Sequence, residues 1–123
     1  MANQTSAGGE PHPTALVAVD DREARNFLVD SLQQDNCLVL EAESVSRVLD
    51  VVRVHSRPIH VVLLDVEIGD HALAALLRRY RSELQVVFVP KSPNEGQRRA
   101  MELEGVLTTA RQILKRSKWM PDA

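Results

Sequence analysis

Three aspartate residues, each at the end of an apolar run, are the residues of this sequence best suited to chemistry. Asp20 and Asp21 follow the run ALVAV at 15–19, and Asp65 follows the run IHVVLL at 59–64. Clustered carboxylates repel one another unless a cation lies between them, and all-oxygen ligation suits Mg²⁺. A metal held by Asp20 and Asp21 could position a phosphoryl group while Asp65 attacks phosphorus and forms an aspartyl phosphate. The sequence therefore predicts a carboxylate site for Mg²⁺ and a phosphoryl group.

A simpler interpretation of the same three residues stays open. Acidic side chains are common at helix N-termini, where they accept hydrogen bonds from backbone N–H groups and favour the helix dipole. On this interpretation Asp20 and Asp21 cap the first helix, and Asp65 only ends a strand.

The elements that must position these acids follow from the hydrophobic pattern. Short apolar runs alternate with segments whose apolar residues recur at helical spacing, which predicts βαβ units. Five strands are predicted, at 14–20, 37–40, 59–65, 86–89 and, very short, 106–108. The helix after the fourth strand is expected to begin at 92–95, where SPNE indicates a capping box, and to end at Gly105, before the fifth strand. The fold class predicted is α/β, a doubly wound five-stranded parallel sheet of order 2-1-3-4-5. This is a flavodoxin-like three-layer sandwich with a short or irregular fifth strand.

This strand order places the acids where a ligand is expected. In doubly wound sheets, ligands bind beyond the carboxyl ends of the strands, where the strand order reverses. In the order 2-1-3-4-5 that point lies between the first and third strands, which are the strands that precede Asp20, Asp21 and Asp65.

Composition and length bound the remaining possibilities. The chain has 123 residues, of which 44% are hydrophobic and 26% charged, as in ordinary globular domains. Its formal net charge of −2 gives no general attraction to nucleic acid, and no apolar run approaches membrane-spanning length. We expect a cytoplasmic protein that binds neither nucleic acid nor membrane. Residues 1–13 are predicted to be a disordered tail, 14–118 the folded domain and 119–123 a C-terminal tail.

Two motifs give the sequence a resemblance to a known family. VAVDD at 17–21 and VVLLDVE at 61–67 resemble the receiver domain of bacterial two-component response regulators. The resemblance covers residues 15–117, which is nearly all of the chain beyond the N-terminal tail.

The resemblance implies a role for each matching residue. Asp20 and Asp21 would bind Mg²⁺, and Asp65 would accept phosphate from a histidine kinase. Glu67 would offer its backbone carbonyl to the metal.

The sequence departs from the family pattern in its switch region. Members of the family usually carry Thr or Ser at the end of the fourth strand, where this chain has Pro90. They also carry Lys-Pro after the fifth strand, whereas the segment 106–111 contains neither residue. The loop after Asp65 is short and lacks the usual proline. Lys91 could replace the missing cation, or it could simply be a solvated lysine.

The function predicted is that of a stand-alone receiver domain in a phosphorelay. Its partners would be a histidine kinase or phosphotransfer protein and a downstream protein target, and it would be a monomer or weak homodimer. The alternative is a pseudo-receiver, a protein-interaction module that works without phosphate. An enzyme is not expected, since phosphatases of the haloacid dehalogenase type need Asp-x-Asp after the first strand. The segment 20–23, DDRE, lacks that spacing.

Overall fold

The computed structural model describes residues 12–91 and 97–116, with the side chains of residues 97 and 98 excepted. Eight elements alternate along these residues. They are β1 (Thr14–Ala18), α1 (Arg22–Gln34), β2 (Leu38–Ala42), α2 (Val45–Val54), β3 (Val61–Asp65), α3 (His71–Tyr80), β4 (Gln85–Val89) and α4 (Gln97–Arg116).

The described strands form one parallel sheet of order β2-β1-β3-β4. Every residue of β1 and β3 is buried, as expected for central strands covered on both faces. One face packs against α1 and α4 through side chains such as Val17 and Leu63. The other face packs against α2 and α3 through side chains such as Leu16 and Leu64. The predicted parallel three-layer α/β architecture is therefore confirmed.

Three of the helices begin at side chains that cap them. Asp21 Oδ2 accepts a hydrogen bond from the Ala24 backbone N–H at 2.8 Å. Ser44 Oγ accepts one from the Arg47 N–H at 3.2 Å, and Asp70 Oδ1 accepts one from the Ala72 N–H at 3.0 Å. Each cap satisfies a backbone donor that has no partner within its helix.

The prediction of five strands is wrong for the described residues, which form four. The segment expected to contain a helix end at Gly105 and a strand at 106–108 lies within the single helix α4. The physical reason is an uninterrupted helical spacing of buried apolar side chains along this segment. These residues are Leu103, Val106, Leu107, Ala110, Ile113 and Leu114.

Gly105 and the two threonines that follow it, Thr108 and Thr109, are tolerated within this helix. Gly105 is exposed, and a Cβ atom added to it would meet no atom within 4 Å. Its cost in a helix interior is about 1 kcal/mol relative to alanine, which the buried face of α4 offsets. Thr108 and Thr109 donate their hydroxyls to the carbonyls four residues earlier, at 3.0 and 3.2 Å. This hydrogen bond is a common way for threonine to sit in a helix.

Several predictions lie outside the described residues. They concern most of the N-terminal tail, the expected start of the fourth helix at 92–95 and the C-terminal tail. Cys37, by contrast, is described and buried, and burial, followed by the nearby charge of Asp35, raises the pKa of its thiol to about 11.

Candidate functional site

The three aspartates lie at one edge of the sheet, at the point where the strand order reverses. β1 pairs with β2 on one side and with β3 on the other. Ala18, at the end of β1, is in register with Leu64, the residue before Asp65. Asp65 is the last residue of β3, and Asp20 follows the end of β1 by two positions. The structure thus brings Asp20 and Asp65 together as the sequence predicts.

Asp65 is the most constrained of these side chains. It is only 5% exposed. Its Oδ2 accepts a hydrogen bond from the Asp20 backbone N–H at 3.2 Å, and its Oδ1 accepts one from the Glu67 N–H at 2.9 Å. The carboxylate is therefore held in one orientation by the backbone of the two loops that flank it.

The loop after β3 is folded back on Asp65 by its own backbone. The Ile68 and Gly69 N–H groups donate to the Asp65 carbonyl at 2.8 and 3.1 Å. The Val66 N–H donates to the carbonyl of Val89, the last residue of β4, at 3.2 Å. These bonds form a tight turn in which Glu67 lies beside the carboxylate.

Asp20 and Asp21 are both exposed but differ in their contacts. Asp21 is the N-cap of α1, as the simpler interpretation of the sequence proposed for it. No described residue donates a hydrogen bond to the Asp20 side chain. Asp20 contacts Asp65 through its backbone N–H instead. The capping interpretation therefore applies to Asp21 and does not account for Asp20.

The residues at the carboxyl ends of β1 and β3 meet only some of the requirements of a Mg²⁺ site. The donors are all carboxylate and carbonyl oxygens, which is the ligand type that Mg²⁺ prefers. Within 12–91 and 97–116, however, no three His, Cys, Asp or Glu side chains are grouped so that they could hold a metal ion. One Asp21 oxygen accepts the capping bond, and both Asp65 oxygens accept backbone N–H groups. Magnesium binding accordingly stays a prediction.

Arg25, which the sequence did not indicate as a site residue, holds the backbone just before Asp20 and Asp21. Arg25 Nη1 donates to the backbone carbonyls of Val19 and Asp20, at 2.8 and 3.2 Å. Its Nε lies 3.6 Å from Oε1 of Glu41, at the end of β2. Arg25 lies one helical turn after Asp21, which places it near the acids, but no local sequence pattern indicates the two carbonyls that it contacts.

Lys91 lies at the same edge of the sheet as Asp65. Its Nζ is 3.4 Å from Oε2 of Glu67, and both side chains are at least half exposed. The Glu67 backbone N–H in turn donates to Asp65, so Lys91 pairs with a residue that holds the Asp65 carboxylate. Pro90, which directly follows β4, has no hydroxyl to offer there. Its backbone carbonyl accepts a hydrogen bond from Arg99 Nη1 at 2.9 Å.

Comparison with solved structures identifies the fold. The structure is similar to the non-phosphorylated HemR receiver domain from Leptospira biflexa, with a TM-score of 0.64 and 20% identity over 83% of this chain and 94% of that one. It is similar to a CheY-like receiver domain protein from Methanospirillum hungatei, with a TM-score of 0.68 and 12% identity over 88% of this chain and 98% of that one. A response regulator from Thermotoga maritima gives a TM-score of 0.65 and 16% identity, over 85% of this chain and 99% of that one.

The chain therefore has the fold of a response regulator receiver domain. No family model matches the sequence, and no curated protein does. In the part of the chain that the structure describes, no helix is long and apolar enough to span a membrane. At these low identities the fold is what the comparisons establish, and the function must be argued from the site.

Proposed function

We propose that this protein is a receiver domain that accepts a phosphoryl group on Asp65 and signals by binding other proteins. The observation that supports this most directly is the buried Asp65 carboxylate, held by the Asp20 and Glu67 N–H groups at the switch point of the sheet. In the transfer, an Asp65 oxygen attacks phosphorus. The P–N bond of a phosphohistidine donor breaks, and the imidazole leaves with the electron pair.

The same proposal assigns the surrounding residues. Asp20, Asp21, Asp65 and the Glu67 carbonyl would hold Mg²⁺, which when bound offsets the charge of the phosphoryl oxygens. Because Asp21 also caps α1, binding would require one of its oxygens to serve the metal while the other keeps the capping bond.

The partners we propose follow from that chemistry. A histidine kinase or phosphotransfer protein supplies the phosphoryl group, and a downstream protein recognises the phosphorylated domain. We propose that the domain works in the cytoplasm without enzymatic activity of its own.

The test is phosphorylation by a small acyl phosphate, acetyl phosphate, with Mg²⁺ present. A phosphate-affinity gel should show a retarded, alkali-labile band for the wild-type protein and none for Asp65→Asn. Asp70→Asn is the matched control, since Asp70 lies in the loop after Asp65 and asparagine also caps helices. Labelling of Asp65→Asn equal to that of the wild type would exclude Asp65 as the acceptor.

A second candidate function, the pseudo-receiver, is favoured by the structure of the switch region. Pro90 directly follows β4, and α4 continues through the segment where a fifth strand and its lysine would be needed. Under this alternative the domain binds its partner without phosphate. It predicts no retarded band under any Mg²⁺ concentration, together with partner binding that Asp65→Asn leaves unchanged.

A further inference from the structure

The outer edge of β4 is open along the residues that the structure describes. Among the described strands β4 pairs only with β3, so no strand lies on its other side. The helix α4 takes the place of the expected fifth strand, but it packs over one face of the sheet, in the cluster that contains Val87 and Val89. An edge strand with unpaired backbone groups is a template to which another strand can add by hydrogen bonding.

The backbone hydrogen bonds show which residues of β4 face outward. The Val89 carbonyl accepts a hydrogen bond from the Val66 N–H at 3.2 Å, on the side of β3. Successive residues of a strand direct their N–H and C=O groups to opposite sides. Val86 and Phe88 therefore direct these groups outward, and no described residue pairs with them there.

The side chains along this edge are uncharged and partly exposed. The strand, QVVFV at 85–89, contains no charged residue and no proline, which are common means of blocking pairing at an edge. Val86, Val87 and Phe88 are each partly exposed, whereas every residue of β1 and β3 is buried. The edge thus offers apolar surface as well as unpaired backbone groups.

The residues that flank β4 make this edge complementary to a second copy of itself. Glu83 and Lys91 are both exposed, and each lies four positions from Val87, the middle residue of the strand. When two copies of β4 pair antiparallel with Val87 opposite Val87, Glu83 of each chain lies opposite Lys91 of the other. The same register places Val86 opposite Phe88, so that the outward backbone groups of the two chains meet as hydrogen-bonded pairs.

The neighbouring registers fit less well. The outward groups stay opposite one another only when one chain moves by two residues relative to the other. A shift in one direction places Lys91 opposite Arg81, which carries the same charge. A shift in the other direction places Val86 opposite Pro90, which has no N–H to donate. Charge and hydrogen bonding together favour the register centred on Val87.

We propose that this chain forms a two-fold symmetric homodimer in which the β4 strands of two copies pair antiparallel, centred on Val87. The pairing joins two four-stranded sheets into one continuous sheet. On one face, Phe88 packs against Val86 of the second copy, and such pairs of an aromatic and a β-branched side chain stabilise sheets. On the other face, the two Val87 side chains meet on the symmetry axis.

Lys91 can take part in this contact without leaving Glu67. Its Nζ lies 3.4 Å from Oε2 of Glu67, and its side chain is exposed. An ammonium group has three N–H donors, so it can pair with Glu67 of its own chain and with Glu83 of the second copy together. The dimer rests on β4 and its flanking charges, and it does not depend on phosphorylation of Asp65.

A charge swap tests the register, with sedimentation velocity over a range of protein concentrations as the measurement. Glu83→Lys places lysine opposite lysine and should raise the dimer dissociation constant about tenfold, because an attractive exposed pair at each end becomes repulsive. Lys91→Glu should do the same, and the double variant Glu83→Lys/Lys91→Glu should restore the wild-type constant. Asp30→Lys is the matched control, since it makes the same charge change at an exposed position of α1, which packs on β1 and β2.

Amide hydrogen exchange tests the edge itself and needs no variant. The Val86 and Phe88 N–H groups are hydrogen-bonded only in the dimer, so their exchange should slow about tenfold or more as the protein concentration rises. The Val87 N–H, which faces β3, should be protected at every concentration.

Three results would overturn the proposal. One is a monomer at every protein concentration. Another is protection of the Val86 and Phe88 amides that dilution does not reduce, because a segment of the same chain would then cover the edge. The third is a dimer whose dissociation constant does not respond to the charge swap, because the two copies would then meet at another surface or in another register.

Discussion

At the scale of single residues, Asp20 and Asp21 are adjacent in the chain but make different contacts. Asp21 caps α1 with its side chain, whereas Asp20 contributes its backbone N–H to the Asp65 carboxylate. Both carboxylates are exposed and bring negative charge to the edge where Asp65 lies. Substitutions can therefore separate the capping role from the proposed metal-binding role.

Asp21→Ala should lower the free energy of unfolding by about 1 kcal/mol, because the cap of α1 is lost. Asp21→Asn keeps the cap and should cost little, and Asp20→Ala should cost nothing, since it also relieves repulsion with Asp65. All three should weaken Mg²⁺ binding. Urea denaturation without metal, followed by Mg²⁺ titration, measures both effects. If Asp20→Ala and Asp21→Asn bound Mg²⁺ with unchanged affinity, the metal site would be refuted.

Lys91 and Glu67 should act on the phosphoryl group in opposite directions. With Lys91→Ala, the lifetime of phospho-Asp65 should fall about two- to fivefold, the modest effect expected of an exposed charge. Glu67→Gln keeps the backbone N–H and carbonyl but releases the ammonium group, and it should preserve or lengthen that lifetime.

The control for this pair is Lys115→Ala, which removes an exposed lysine from the last turn of α4. Decay of the phosphate-affinity band over time is the measurement, and added salt should reduce the difference between the variants. Equal lifetimes for wild type, Lys91→Ala and Lys115→Ala would show that Lys91 does not replace the missing switch cation.

The sequence predicted which site residues lie together only where these residues follow the ends of strands. Asp20 and Asp65 could be placed together because parallel neighbouring strands end at the same edge of a sheet. The two N–H donors to Asp65 could not be predicted, since they depend on the turn 65–69 and on the backbone path after β1. The ion pair of Lys91 with Glu67 joins two different loops, and no local pattern indicates such a contact.

At the scale of elements, α4 is where the sequence prediction and the structure differ most. Gly105 suggested a helix end, and the segment 106–108 a short strand. The buried face formed by Leu103, Val106 and Leu107 continues through that point with helical spacing. A local signal for a break was thus outweighed by burial, which a short run of residues cannot reveal. The strands β1 and β3 were predicted well because they are uniformly apolar and bounded by polar residues.

Gly105→Ala distinguishes the two interpretations of this segment. In the interior of an exposed helix face, alanine should raise the free energy of unfolding by up to about 1 kcal/mol. A glycine that ended a helix in the left-handed conformation would instead make alanine destabilising. Gly69→Ala is the matched contrast, because its Cβ would collide with the side chain of Leu73 and should destabilise the protein. Destabilisation by both substitutions would contradict a continuous α4.

At the scale of the whole molecule, the fold and the switch region point to different behaviour. The sheet order places the acids at the switch point, where a ligand is expected and where the proposed acceptor Asp65 lies. A switch also needs a ligand that interacts differently with two states of the protein. Pro90 offers no hydroxyl and restricts its loop, so we expect that modification of Asp65 is transmitted poorly to α4. The domain would then present nearly the same surface to its partners in both states.

Backbone amide NMR with Mg²⁺ and beryllofluoride, a mimic of the aspartyl phosphate, tests the acceptor role of Asp65 most directly. The Asp20 and Glu67 amides donate to the Asp65 carboxylate and therefore report on any group that forms there. We predict saturable shifts of these two amides and of Lys91, with little change along α4 and no response in Asp65→Asn. Unchanged Asp20 and Glu67 amides at saturating beryllofluoride would contradict the acceptor site. Shifts that spread through α4 would contradict the confined response.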